Sequence, residues 1–291
     1  MRSHVTGSSI PALGLGIGWR PELALAIERY PGLRFVEVIA ENLSEDGPIP
    51  AAIEVLRDRG LHVVPHGISL SLGGAEPLDL KRVNRLAEAA RRCNSPLVSE
   101  HIAFVRAGGK EAGHLLPLPR TKTAIDVVVN NVKRAQDILP VPLALENISA
   151  LFEWPDAQMS EAEFIGQIID RTGALLLLDL ANVWANARNL GGNAVSFLNQ
   201  LPLHRLAYVH VAGGEEREGI YHDTHSASVP LEVLDLVTEL SAQCDLPGIM
   251  LERDECYPPE AQLHRELDAI AKSVERGRDS RTCREEINAV R

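Results

Sequence analysis

The run Leu143-Ala-Leu-Glu-Asn-Ile-Ser149 ends an apolar stretch on a carboxylate and an amide, Glu146 and Asn147. A single such pair reads as a turn or a cap. The same ending recurs along the chain: Glu37, Glu41 and Asn42; His66; Glu100 and His101; Asp179 and Asn182; His210; then His222, Asp223 and His225; and finally Glu252 and Asp254. Imidazoles and carboxylates without thiolates form the donor set of iron, manganese or zinc. Four imidazoles and at least three carboxylates exceed the needs of one ion. Two or three ions are expected, with a carboxylate bridging neighbours roughly 3.5–4 Å apart. Taken singly, each residue has a plainer explanation, a hydrogen-bonded core histidine or a helix N-cap. Collectively they do not, because each unpaired buried carboxylate costs several kcal/mol, and the one basic residue visible at a strand end is Arg253.

The elements that must position these residues alternate. Apolar strand-like runs at Ala12–Trp19, Phe35–Asn42, Leu61–Ser69, Leu97–Phe104, Leu143–Ser149, Ala174–Asn182, Leu206–Gly213 and Ile249–Asp254 are separated by helix-like runs. Eight apolar strands with intervening helices predict a parallel sheet buried on both faces, and a (β/α)8 TIM barrel as its closure. Chemistry then belongs at the carboxyl ends of the strands, where the polar endings fall. Gly14, Gly16 and Gly18 lie within the first run instead of after it. They suit close packing in a curved sheet better than a dinucleotide loop. The stretches Val105–Pro119 and Gly213–Val229 read as long loops that would shape the substrate site. Residues 1–275 are expected to form one barrel domain, and the charged segment 276–291 a mobile tail.

Composition narrows the function. The chain of 291 residues is 45% hydrophobic and 24% charged, with a net charge of −11, a balance that disfavours nucleic acid and anionic membranes as partners. The N-terminus lacks the apolar core of a signal peptide, so a cytoplasmic location is expected. Cys93, Cys244, Cys256 and Cys283 form no C-x-x-C pair, which leaves out a thiolate zinc site and a disulfide framework. No lysine stands at a strand end for Schiff-base chemistry, and neither G-x-S-x-G nor H-E-x-x-H occurs.

The runs Val36–Asn42, His66–Ser71, Ser99–His101, Leu145–Ile148, Leu178–Asn182, Val209–Gly213, Asp223–His225 and Leu251–Glu252, in this order, resemble the multinuclear non-heme iron-dependent oxidases, formerly DUF692 or UPF0276. That resemblance implies a xylose-isomerase-like (β/α)8 barrel with two or three iron ions in mixed Fe(II)/Fe(III) states. It implies O2 as co-substrate and oxidation of a residue, often cysteine, in a ribosomally synthesised precursor peptide. The expected step is removal of a C–H hydrogen by O2 activated at iron. A small leader-binding partner protein is also implied. By motif, His66, His101 and Glu146 would hold one iron. Glu146 would bridge to a second completed by Asp179, His210 and Glu252, and Asn182, Asp223 and His225 would hold a third. Asn147 is expected to support the ligands. Three positions depart from the family pattern: Gly214 where His is frequent, Arg253 where Trp is frequent, and Asn182 where some members have His. A metal-dependent hydrolase or isomerase, and a metal-loaded scaffold that only binds a peptide or partner, are the alternatives.

Overall fold

A computed structural model describes residues 10–44 and 47–289. In chain order its elements are β1 (Gly14–Gly18), α1 (Ala24–Arg29), β2 (Phe35–Ile39), α2 (Ala51–Asp58), β3 (His62–His66), α3 (Leu80–Cys93), β4 (Val98–His101), β5 (Phe104–Ala107), β6 (Lys110–Leu116) and α4 (Lys122–Gln136). They continue with β7 (Leu143–Glu146), α5 (Glu161–Thr172), β8 (Leu175–Asp179), α6 (Leu180–Leu190), α7 (Ala194–Leu198), β9 (Leu206–Val211), β10 (Gly213–Arg217), β11 (Ile220–Ala227), α8 (Leu231–Ser241), β12 (Gly248–Leu251) and α9 (Glu260–Ala289). Eight of the strands close a parallel barrel in the order β1-β12-β9-β8-β7-β4-β3-β2, as the alternating apolar runs predict.

The period of two along a strand sorts the barrel interior into layers. Leu13, Phe35, Val64, Leu97, Ala144, Leu177, Ala207, Tyr208 and Met250 pack together as an apolar floor. Two residues further along the same strands stand Glu37, His66, Ser99, Glu146, Asp179, His210 and Glu252, all buried. Register keeps them level: His101 pairs with Glu146, and Asp179 with His210, across adjacent strands. A Cβ on Gly16 would lie 2.3 Å from the Phe35 ring, so this glycine is where the floor packs against the strand itself. The larger core lies between the outer strand faces and the helices.

Three sequence expectations are corrected. The stretches expected as loops carry antiparallel hairpins, β5–β6 and β10–β11. Each closes on two residues with positive φ, Gly108-Gly109 and Glu218-Gly219, as tight hairpin turns require. Second, the run expected as strand through Asn182 ends at Asp179, whose carboxylate caps α6 by accepting the Asn182 N–H at 2.7 Å. Third, the segment from Arg276, expected as a mobile tail, continues α9 as helix to Ala289. Gly277 lets α9 press against α8, since a Cβ there would meet the Thr238 carbonyl at 2.4 Å. Ser241 Oγ donates to the Val274 carbonyl at the same crossing, 2.8 Å away. The last two residues of the expected tail lie outside the described residues. Among the described residues, no helix is long and apolar enough to cross a membrane.

Candidate metal centre

Four overlapping groups of side chains at the carboxyl end of the barrel bring their ligand atoms within 4.8 Å of one another: His66–His101–Glu146, Glu146–Asp179–His210, Glu37–His210–Glu252 and Asp179–His225–Glu252. Glu146 is central, its Oε2 3.5 Å from His66 Nε2 and 3.3 Å from His101 Nε2, and its Oε1 3.2 Å from His210 Nδ1. His210 Nδ1 lies equally 3.2 Å from Glu252 Oε2. His225 carries the cluster outward, with Asp223 2.9 Å from Nε2 and Asp254 2.9 Å from Nδ1.

The far nitrogens of the buried imidazoles are held from behind. His66 Nδ1 lies 2.8 Å from Ser99 Oγ, which is 2.7 Å from the Tyr208 hydroxyl. Tyr208 donates to Glu37 Oε2 at 2.6 Å, and the same oxygen receives His210 Nε2 at 3.0 Å. If both imidazoles donate into this chain, every link has one donor and one acceptor. His66 Nε2 and His210 Nδ1 are then left as lone pairs turned toward Glu146, the arrangement by which a second layer fixes metal-binding histidines. His101 Nδ1 faces Glu100 Oε1 at 3.4 Å, and Glu100 Oε2 accepts the Ser69 and Leu70 N–H groups. Asn147 supports the next strand by bonding both backbone groups of Asp179, at 2.9 and 3.0 Å.

The electrostatics are those of an uncompensated ring of acids. Burial opposes ionisation of Glu146, yet the His210 and His101 imidazoles hold its carboxyl down at about 2. Burial together with Asp223 and Glu146 pushes Asp179 well above the usual carboxylate range. Burial would depress His101, but Glu146 and Glu100 raise it to about 9. His210 is raised in the same way by Glu37, Glu146 and Glu252 against its burial. In the metal-free chain protons do the neutralising, and a metal cation would replace them.

Orphaned atoms test whether the residues fit metal ions. Glu146 Oε2, Asp179 Oδ2, Asn182 Oδ1, His210 Nδ1 and Asp223 Oδ1 are buried and accept no hydrogen bond. Native interiors rarely leave such atoms unsatisfied. Three of them belong to Glu146, Asp179 and His210, whose ligand atoms lie within 4.8 Å of one another, and nitrogen and oxygen donors grouped in this way fit divalent or trivalent ions.

Not every polar strand ending joins in. Asn42 is exposed, and Glu41 Oε1 accepts the Ile68 N–H at 3.0 Å in a neighbouring turn. Neither these nor Glu100, His222, Asp254 and the expected ligand Asp223 belongs to a ligand group among the described residues. Arg253 does not neutralise the mouth, because its guanidinium turns away to Glu266 and the Ser226 carbonyl. The cation at the mouth is Arg20, two residues past β1, which bonds Asp254 and stands 3.7 Å from Glu252. Sequence reasoning passed over Arg20, Ser99 and Tyr208. Ser99 and Tyr208 each lie two positions before a histidine on the same strand and so share its face of the sheet.

At Gly214 a Cβ would lie 2.0 Å from the His222 carbonyl oxygen, so this hairpin has no room for a side chain there.

Solved structures with the same fold include the IolI protein, described with a bound zinc atom (TM-score 0.61, 12% identity, 89% of this chain and 96% of that one). Endonuclease IV from Thermus thermophilus is another (0.57, 18%, 89% and 99%), and a xylose isomerase domain protein from Planctomyces limnophilus a third (0.55, 15%, 94% and 99%). At these identities the likeness is one of fold. A UPF0276 protein of Streptomyces avermitilis is 51% identical over 275 residues, covering 92% of this chain, which spans 56% of that longer protein. One from Caulobacter vibrioides is 35% identical over 271 residues, 92% and 96% of the two chains. Residues 14–275, from the first barrel strand into the last helix, match the RiPP precursor modification enzymes MbnB/TglH/ChrH, and the chain belongs to that family.

Proposed function

We propose that the chain is an O2-dependent multinuclear non-heme iron oxidase that modifies a residue, with cysteine the first candidate, of a ribosomally synthesised precursor peptide. The observation carrying this reading is the group Glu146, Asp179 and His210, whose ligand atoms lie within 4.8 Å of one another and which each leave a buried atom without a hydrogen-bond partner, in a chain of this family. His66, His101 and Glu146 would hold one ion, and Glu146, Asp179, His210 and Glu252 a second. Asn182, Asp223 and His225 would hold a third, with Asp179 and Glu252 close enough to His225 to share it. Iron, when bound, would supply the redox chemistry that activates O2.

The chain's own residues do the remaining work. The Ser99–Tyr208–Glu37 relay orients the two rings so that His66 Nε2 and His210 Nδ1 turn toward Glu146, as imidazoles that are to hold a metal require. The apolar floor keeps water from reaching the ligands from below, and lowers the local dielectric so that the buried charges act strongly on bound groups. Arg20 balances the outer carboxylates of Glu252 and Asp254. The reading places the protein in the cytoplasm and gives it a small partner that presents the peptide's leader.

Zinc is the competing ion, since the IolI barrel is described with it. The test is anaerobic purification followed by metal analysis, iron reconstitution, and O2 uptake with the short peptides encoded beside this chain's gene. Iron at two or three per chain with peptide-dependent O2 uptake is the expected result. Zinc alone, with no uptake after iron loading, overturns the oxidase reading.

A further inference from the structure

At the metal-bearing end of the barrel, the connection from β7 to α5 bends outward and leaves Leu151, Phe152 and Trp154 52%, 45% and 37% exposed. Large apolar side chains exposed together in one connection mark a surface that takes a ligand. The Phe152 and Trp154 rings meet edge to face, centroids 5.6 Å apart. Hydrogen bonds to the segment after β6 hold this connection in place. Trp154 Nε1 donates to the Pro117 carbonyl (2.8 Å), the Gln158 N–H to the Arg120 carbonyl (2.9 Å), and Arg120 Nη2 to Glu153 Oε1 (2.6 Å). The apolar face is therefore preformed, and binding to it carries a small ordering cost.

A cleft in two lobes runs from this face to α6. The first lobe, with about 50 Å³ of accessible space, is walled by Ile102, Leu118, Phe152, Trp154 and Phe164. The second, with about 130 Å³, continues along Asn186 and Gly192 to Phe197. Asn147, Glu153, Glu161 and Leu190 line both lobes. Asn147 is also the residue next to Glu146 that clasps the backbone of Asp179, so the cleft begins one residue from the metal centre.

The cleft carries surplus negative charge. Glu153 and Glu161 share one guanidinium, Arg120, which is bonded to Glu153. Glu161 forms no ion pair among the described residues, and burial pushes its carboxyl up to about 7 against the opposing pull of Arg120. A carboxyl held near 7, hydrogen-bonded to Asn186 and half-buried, is only partly ionised near neutral pH, and an arriving ammonium or guanidinium favours its charged form.

We propose that this cleft is a substrate subsite that takes a cationic peptide segment, an apolar side chain lying against Phe152 and Trp154 and an adjacent lysine or arginine at Glu161. The proposal rests on the peptide-modifying reading above and adds to it the chemistry of the residues flanking the modified one.

The probe is a library of random heptapeptides displayed on phage, selected against the full-length iron-reconstituted chain. The most enriched sequence is then synthesised, and its affinity is measured by fluorescence polarisation. The expected selection pairs Lys or Arg with an aliphatic or aromatic neighbour. Replacing the basic residue of the peptide by Gln should weaken binding about tenfold to the wild-type chain, and Glu161→Gln should erase that difference. Trp154→Ala should weaken both peptides alike. Selected sequences without a basic residue, no enrichment at all, or a tenfold preference that survives in Glu161→Gln would each overturn the subsite. Binding is read without turnover: an inactive protein that keeps the charge preference refutes the oxidase alone, and an active one without it refutes the subsite alone.

Discussion

Glu146 touches three imidazoles at once, so its two oxygens cannot be exchanged for an amide without losing a negative charge and an acceptor together. Glu146→Gln is expected to fold, since it is isosteric on a closed strand, and to bind fewer metal ions with no O2 uptake. Full metal occupancy by elemental analysis would refute its bridging role. Tyr208 is a subtler case. Its ring belongs to the apolar floor, while its hydroxyl joins the two halves of the ligand set through Ser99 and Glu37. Tyr208→Phe keeps the ring and removes the link, so chelator competition should show metal affinity lower by about 10–100-fold, with an unchanged circular dichroism spectrum. Unaltered affinity would mean that the imidazoles are oriented by packing alone. These residues differ in how legible they are. Glu146 ends an apolar run and announces itself, whereas Tyr208 and Ser99 lie within such runs, where a hydroxyl is indistinguishable from an ordinary core residue until its cross-barrel partner is known.

At the scale of elements, the strands were readable because parallel strands buried on both faces are apolar throughout, as in Ala174–Leu178. The helices were readable from their apolar spacing, as in α3 with Val83, Leu86, Ala87, Ala90 and Cys93 buried on one face. The hairpins escaped because they stand outside the core. Exposed residues such as Lys110–Gly113 show no alternation, although Gly108-Gly109 and Glu218-Gly219 were turn signals in plain view. The start of α6 escaped for the opposite reason, since Leu180 and Ala181 prolong the apolar run and the boundary is set by the cap at Asp179. The β10–β11 hairpin supplies Asp223 and His225, and Gly214 packs against its own partner strand. Gly214→Ala should push β10 and β11 apart and loosen those two ligands while leaving His66, His101 and Glu146 in place. The expected reading is about one metal ion fewer per chain, with the remainder retained. Loss of all ions, or of none, would contradict this division.

For the whole molecule, the proposed ligands come from β3, β4, β7, β8, β9 and β11 and from the segments following β8 and β12, which is nearly the full circuit of the barrel. No fragment of the chain brings them together. On the proposed reading, metal would bind the closed barrel and not its unfolded or partly folded forms. A free concentration 100-fold above the dissociation constant should stabilise the fold by about 2.7 kcal/mol per ion, raising the melting temperature by roughly 5–10 °C. A melting temperature indifferent to added metal would argue against binding at this site. The same circuit has a further consequence. Glu252 follows β12, the strand that joins β1 to β9, so the last ligand arrives only when the ring is sealed. On the proposed reading, loading with metal would act as a proofreading step on synthesis: a chain that stops short or threads wrongly would stay empty and take no part in the O2 chemistry proposed above.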